Sequence, residues 1–353
     1  MHAVYLTGHG GPECLEYRTD VPVPTPGPGE VLIKIGAAGI NNTDVNTRIG
    51  WYSKQVTGDT ESATQDLNAE DDDASWTGRP LVFPRIQGAD ACGHVVAVGE
   101  GVDSARIGER VMVASLQPAP DATDDWDFIT WGSECDGGFA QYATARSDQT
   151  HKVTSGLSDV ELASFPCAYS TAENLISRAG CQAGDVVLIT GASGGVGSAA
   201  VQLCKRRGAT VIAMASRAKH DQMAGLGADR LLDRGDDPVA VLGAQSVTLV
   251  VDLVAGDGFP GLIACLKRGG RYATSGAIGG PITTLDVRDL YLKDLTFVGS
   301  TAQAPETMPN LISYIEAGEI KPMVSQTFPL SDITKAQEVF LQKTFVGKLV
   351  LLP

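Results

Sequence analysis

The stretch that most limits what this chain can become is "DVVLITGASGGVGSAAVQLCKRRGATVIAMA", residues 185–215. An apolar, β-branched run ends at Gly191, a glycine-rich turn follows, and a helical pattern opens near Gly195. Strand, turn and helix in that order leave free N–H groups at a helix N-terminus, an arrangement that holds a pyrophosphate. Gly194 and Gly195 let the backbone approach the anion, and Gly197 lets the helix pack closely on the strand. The motif runs Ala192, Ser193, Gly194, Gly195, Val196, Gly197, with alanine where a full G-x-G-x-x-G has its first glycine. Glycines alone would be a weak signal; their position between a strand and a helix makes this one strong.

The surrounding pattern agrees. From Ser158 onward helices and strands alternate: "DVELASFPCAYSTAENLISRAG" has helical spacing, with Asp159 near its start and Gly180 as its stop. Six strands follow ("DVVLITG", "TVIAMA", "RLLD", "VTLVVDLV", "GGRYATSG", "LTFVGST"), which predicts a parallel, doubly wound sheet. The first 158 residues instead show short alternating runs such as "EVLIKIGAAGI", "GHVVAVG" and "GERVMVA", broken by Pro and Gly, and read as mostly β. The tail ("APETMPNLISYIEAGEI", "MVSQTFPL", "ITKAQEVFLQ", "GKLVLLP") gives helix, strand, helix, strand and is expected to return to the first domain. The domains are therefore 1–158 with 304–353, and 159–303.

The second strand of the sheet points to the nucleotide. A site for NAD places an acid about 20 residues beyond the turn to accept from the ribose 2′-hydroxyl. From Ser198 to His220 there is no Asp or Glu; Ser216, Arg217 and Lys219 stand there instead. A hydroxyl, a guanidinium and an ammonium suit a 2′-phosphate, so NADP(H) is the expected cofactor.

The chain of 353 residues has 43% hydrophobic and 20% charged residues, a globular profile, and no apolar run of 18 residues that could span a membrane. Seven scattered cysteines, without a Cys-x-x-Cys pair or a secretory leader pattern, predict reduced thiols and a cytoplasmic setting. Of the net charge of −15, thirteen charges fall in two segments with no base in either, within 57–76 and 117–136. They read as solvated insertions, or as a negative rim that repels anionic substrates. Nucleic acid is excluded as a partner, since no basic cluster offers phosphate contacts.

With "PGPGEVLIKIGAAGIN", "PRIQGADACGHVVAVGEGV", "IGERVMV", "DGGFAQYATA", "GASGGVG", "LGAD" and "VGKLVLLP", the chain resembles the medium-chain dehydrogenase/reductase superfamily over essentially its whole length. Within it, "GASGGVG" and the Asn of "GINNTD" are most similar to the zinc-free quinone oxidoreductase group. The resemblance implies a GroES-like, mostly β catalytic domain, an inserted Rossmann domain, and a homodimer with the edge strand "LTFVGST" as its natural pairing surface. It also bears on zinc. The zinc-dependent branch has a cysteine where Asn41 stands, a histidine at Ala89 and a glutamate at Asp90; Cys167 alone matches a ligand. A single sulfur does not hold a tetrahedral zinc, so no catalytic metal is expected.

Without a Lewis acid, hydride transfer to a quinone or a conjugated carbonyl fits best, with hydrogen bonds stabilising the enolate. Asn41 is the expected N–H donor and Tyr52 the expected phenol donor, both in "GINNTDVNTRIGWYS". Arg48 is expected to brace this loop or pair with Asp44. By the resemblance, Thr171, Ser275 and Gly276 face the nicotinamide. The insertion 54–80 follows Tyr52 directly and is expected to border the cleft, favouring a small neutral, apolar carbonyl or quinone over an acyl-CoA. Two other readings stay open: a zinc alcohol dehydrogenase using Cys92, His94 or Cys167, and an NADPH-binding protein without turnover.

Overall fold

In the computed structural model, which describes residues 1–60, 74–120 and 122–353, the glycine-rich turn caps the strand Val186–Ile189 in a six-stranded, all-parallel sheet. From one edge to the other the strands are Arg230–Asp233, Thr210–Ala215, Val186–Ile189, Val247–Asp252, Leu266–Thr274 and Thr296–Gly299. The chain starts in the middle, winds to one edge, then crosses back and winds to the other. The switch falls at Val186–Ile189, where such sheets bind ligands beyond the strand ends. The helix Gly195–Arg206 follows the turn directly.

The other sheet has seven strands and draws on both ends of the sequence. Its path runs Thr150–Lys152, Arg110–Val113, Cys92–Val98, Glu30–Gly39, Lys348–Leu352, Val324–Pro329, with Tyr142–Arg146 also on Glu30–Gly39. The strand Lys348–Leu352 runs antiparallel to Glu30–Gly39, with Val350 opposite Gly39 and Leu351 opposite Ala38. Continuing that register past Gly39 brings Lys348 level with Asn41. On the opposite side, Cys92 pairs with Ala37, which carries Asp90 toward Gly39. Gly39 has no room for a side chain: a Cβ would lie 2.6 Å from Asp90 Oδ2 and 2.7 Å from the Ala163 carbonyl. Three distant segments therefore converge at the end of one strand.

One buried apolar cluster joins the two units, from Val187, Ile189 and Val251 through Leu175 and Ile176 to Ala37, Cys92 and Met112. Between them the expected single helix from Asp159 is two: Asp159–Leu162 and Pro166–Arg178. Pro166 has no N–H to continue the ladder and opens the second helix instead. The short first helix is held by a capping box, in which the Glu161 carboxylate accepts from Ser158 N at 2.7 Å. The break exposes the N–H of Cys167 in the first turn of a new helix, where it needs an outside acceptor.

Candidate active site

Asn41 closes the strand Glu30–Gly39 and caps the helix Asn42–Arg48; its N–H donates to Asp44 Oδ2 at 2.7 Å. The Asn41 side chain is buried and turns toward the neighbouring strands. Its Nδ2 donates to Asp90 Oδ2 at 2.8 Å, and its Oδ1 accepts from the Lys348 ammonium. Lys348 Nζ lies 2.7 Å from Asp90 Oδ2, with both side chains almost wholly enclosed, 3% and 0% exposed. The other oxygen of Asp90 accepts the free helix-end N–H of Cys167 at 2.6 Å. Asn41, Asp90 and Lys348 thus form a closed polar cluster. Asp90 appears in the sequence only as a replacement for glutamate. Lys348 was not among the expected site residues, although a lysine opening an otherwise apolar final strand is an unusual position.

Asp44 is buried beside this cluster. Burial pushes its carboxyl up to about 7, against the N–H of Asn41 and the nearby Lys348. A raised carboxyl means that the folded protein binds a proton which the unfolded chain has already lost. Stability contributed at Asp44 therefore falls as pH rises from about 4 to about 7. Relative to wild type, Asp44→Asn is expected to gain roughly 2–3 kcal/mol in unfolding free energy between pH 5 and pH 8. Urea titrations at both pH values check it; a gap that does not change with pH would show an ordinary carboxylate.

Tyr52 lies 5.7 Å from the Trp51 ring, edge on, and stacks on Trp76 at 6.4 Å. Its hydroxyl faces Thr43 and Asn46, and burial raises its pKa well above the usual phenol value, so it stays protonated. Thr43 Oγ1 beside it is buried and has no hydrogen-bond partner among the described residues. Tyr52 is therefore both a packed aromatic and a proton-bearing group. Of the two roles expected for Arg48, bracing is the one it takes: it is 2% exposed, donates to Gln337 Oε1 at 2.9 Å and to the Gly10 carbonyl at 2.7 Å rather than to Asp44, and ties this segment to the body of the domain.

The insertion's described ends, 54–60 and 74–80, reach both units. Trp51 Nε1 donates to the Gly58 carbonyl at 3.2 Å, and Thr60 N donates to the Ile278 carbonyl at 3.4 Å, across to the parallel-sheet unit. Glu61, Asp66, Glu70, Asp71, Asp72, Asp73 and Asp121 lie outside the described residues. The second acidic segment is not unopposed in space. Arg79 pairs with Asp127, Arg85 with Asp136 at 2.9 Å, and Thr77 donates to Glu134 at 2.6 Å. Sequence distance hid these partners.

At the glycine-rich turn, Gly191 adopts φ +57 and Gly194 N donates back to the Gly191 carbonyl at 3.0 Å. Gly194 is exposed, with only the Gly191 carbonyl near its missing side chain, so its face is open to a ligand. Ala192 is buried, Val196 packs on the core, and Ser193 accepts from Gly347 N through its carbonyl at 3.0 Å. Lys219 Nζ reaches Ser193 Oγ at 3.4 Å and the Lys343 carbonyl at 2.6 Å. Lys343, another residue not expected, has its ammonium 3.2 Å from Asn42 Oδ1 and 3.7 Å from the Phe340 ring centre. Lys343 as a residue is exposed, and desolvation of its ammonium, with Lys219 and Lys348 nearby, lowers its pKa to about 7. Arg217 is largely exposed, its N–H donating to Asp233 Oδ2 at 3.0 Å, so an acid from the adjacent strand end stands beside it. Ser216 caps the turn that carries Arg217 and Lys219.

Thr171 is buried on the helix Pro166–Arg178, and Ser275 and Gly276 follow the strand Leu266–Thr274. Ser275 Oγ is buried and has no hydrogen-bond partner among the described residues. An orphaned hydroxyl at a strand end, an open glycine face and gathered ammonium groups fit a dinucleotide phosphate and its nicotinamide.

The donors do not fit a zinc ion. Asn41 offers a neutral amide already bonded at both ends, Ala89 offers nothing, and Asp90 is ion-paired. Cys167 is then the single sulfur at a ligand position, and one sulfur does not hold a tetrahedral ion. Cys92 is pushed up to about 12 by burial and donates to Asp159 at 3.7 Å, while His94 is exposed. Among the described residues no three His, Cys, Asp or Glu side chains gather as a metal site would need.

Comparison with known proteins identifies the family. Residues 27–155 match the alcohol dehydrogenase GroES-like domain and residues 195–317 the zinc-binding dehydrogenase model. A solved structure of a putative alcohol dehydrogenase from Sinorhizobium meliloti is 46% identical, covers 100% of this chain and 96% of its own, and superposes with a TM-score of 0.89. Acryloyl-coenzyme A reductase of Metallosphaera sedula is 28% identical over 99% of both chains. Human quinone oxidoreductase is 26% identical, covering 100% of this chain and 98% of its own. The chain is a member of the medium-chain dehydrogenase/reductase superfamily, an oxidoreductase of its quinone oxidoreductase-like group.

Proposed function

We propose that this protein uses NADPH to reduce a quinone or the double bond of an α,β-unsaturated carbonyl, without a catalytic metal. The observation that carries the reading is the Asn41–Asp90–Lys348 cluster: Asn41 and Asp90 stand where the zinc-dependent branch has its cysteine and glutamate, and the Lys348 ammonium bonds both. When bound, NADPH supplies a hydride to the carbon β to the carbonyl, and the displaced electron pair moves onto the carbonyl oxygen. Asn41 offers its N–H to that oxygen, a contact strengthened as negative charge develops there. Tyr52, kept protonated, donates a proton to the resulting enolate. Thr171, Ser275 and Gly276 border the nicotinamide. Ala192 to Gly197 receive the pyrophosphate, and Ser216, Arg217 and Lys219 favour the 2′-phosphate.

The described ends of the insertion lie beside the Tyr52–Trp76 stack, an apolar wall suited to a small neutral substrate. A second reading, an enoyl-CoA thioester, is favoured by the acryloyl-coenzyme A reductases among the relatives. A homodimer through the edge strand Thr296–Gly299, with its exposed Phe297, and a cytoplasmic setting complete the proposal. No helix among the described residues is long and apolar enough to cross a membrane.

An NADPH-consumption screen over quinones, enones, enals, aldehydes and acryloyl-CoA tests the reading, with NADH as control. Turnover is expected with enones or quinones, and Lys219→Glu is expected to raise KM for NADPH about tenfold or more without raising that for NADH. Clear preference for acryloyl-CoA would select the thioester reading. Stoichiometric zinc in the purified protein would restore the alcohol dehydrogenase reading. NADPH binding without oxidation of any acceptor would leave a binding protein.

A further inference from the structure

Lys348 has two features that space filling alone does not explain. Its ammonium and Asp90 form an ion pair sealed from solvent, where an apolar pair of the same volume would hold the fold at least as well. Its stem also passes the cofactor turn: a Cβ at Gly195 would meet Lys348 Cδ at 3.1 Å. The lysine therefore runs from the dinucleotide turn to the hub of the catalytic loop.

The chemistry of that hub is directional. The two ends of an asparagine amide are nearly alike in shape, so only its partners decide which way it points. An ammonium donates and does not accept; a carboxylate accepts and does not donate. Asn41 lies between the two, with Oδ1 on Lys348 and Nδ2 on Asp90. A flipped amide would set its oxygen against the carboxylate and its N–H groups against the ammonium. In the observed orientation Nδ2 gives one N–H to Asp90 and carries a second.

We propose that Lys348 is a positioning residue for Asn41: paired with Asp90, it locks the amide in the orientation that leaves an N–H for the substrate carbonyl. An ammonium thereby performs the organising part of a metal's role, gathering groups from two distant chain segments around one cation. The polarity of the reacting carbonyl is taken from the proposed reduction, and to that extent the inference rests on it.

Lys348→Met alone would strand the Asp90 charge, so the informative protein is Asp90→Asn/Lys348→Met, neutral at both positions. It is compared with wild type, Asn41→Ala and the triple variant. Expected are an NADPH dissociation constant within threefold of wild type by fluorescence, KM for an enone within threefold, and kcat lower by about 30-fold or more. Because Lys348 acts through Asn41, the triple variant is expected to be no more than about threefold slower than Asn41→Ala. A double variant with near wild-type kcat, losses that multiply in the triple, or a defect mainly in NADPH affinity would each overturn the proposal. A second measurement depends on neither the substrate nor that double variant: an unfolding cycle of Asn41→Ala and Lys348→Met. It is expected to show at least about fivefold coupling in the folding equilibrium constant, and additivity would overturn the proposal. Were wild type inert toward every enone and quinone, the proposed function would fall while this cycle still decided whether Lys348 holds Asn41.

Discussion

Asp90→Ala is expected to cost about 3–5 kcal/mol of folding stability, the usual penalty for removing one partner of a buried ion pair. Three donors lose their acceptor together: the Lys348 ammonium, Asn41 Nδ2 and the Cys167 N–H at the start of its helix. Water cannot replace the carboxylate easily, since Asp90 is 0% exposed and Lys348 is 3% exposed. Denaturant unfolding reads the loss directly. Adding Lys348→Met to Asp90→Ala is expected to recover part of it, because the stranded charge disappears. A loss below about 1 kcal/mol would place the pair with ordinary solvated surface pairs.

Gly197→Ala is expected to abolish useful cofactor binding. A Cβ at Gly197 would lie 2.2 Å from the Gly191 carbonyl and 2.7 Å from Ala192 Cα, both main-chain atoms that cannot rotate aside. Relief requires the helix Gly195–Arg206 to draw back by about 1 Å, and the N–H groups at its start move with it. Overpacking of this kind costs about 1–3 kcal/mol, and the displaced anion site is expected to weaken NADPH binding on the order of 100-fold. Fluorescence titration with NADPH measures it. Gly194→Ala serves as the contrast, since its Cβ would find only the Gly191 carbonyl at 3.4 Å. Equal effects at the two positions would remove the steric explanation.

Much of the fold was legible because its signals are local. Six short apolar runs alternating with helical spacing pointed to a parallel sheet, and the glycines between "DVVLIT" and "SAAVQL" marked its switch point. The break at Pro166 was also in the sequence, as a proline inside a helical pattern, but the continuous spacing around it concealed it. Among the candidate site residues, Asn41 and Tyr52 stood out because they lie in one short stretch of sequence, on either side of the helix Asn42–Arg48. Lys348 did not, since 307 residues separate it from Asn41 and only the register of Lys348–Leu352 against Glu30–Gly39 joins them. For Arg48 the bracing role was legible but its partner was not, for a related reason: Gln337 lies 289 residues away. Local pattern reveals elements; the partners of buried charges depend on sheet register, which short-range periodicity does not encode.

The strand order of the seven-stranded sheet also sets a timetable for biosynthesis. The strand Glu30–Gly39 is made early, but its neighbour Lys348–Leu352 follows the whole parallel-sheet unit. While the ribosome is still translating that unit, Asn41 and Asp90 can already meet, yet the cation that completes their cluster has not been added. The glycine-rich turn is therefore synthesised before the polar cluster can close. Translation order separates the two, and the lysine that completes the cluster is added last.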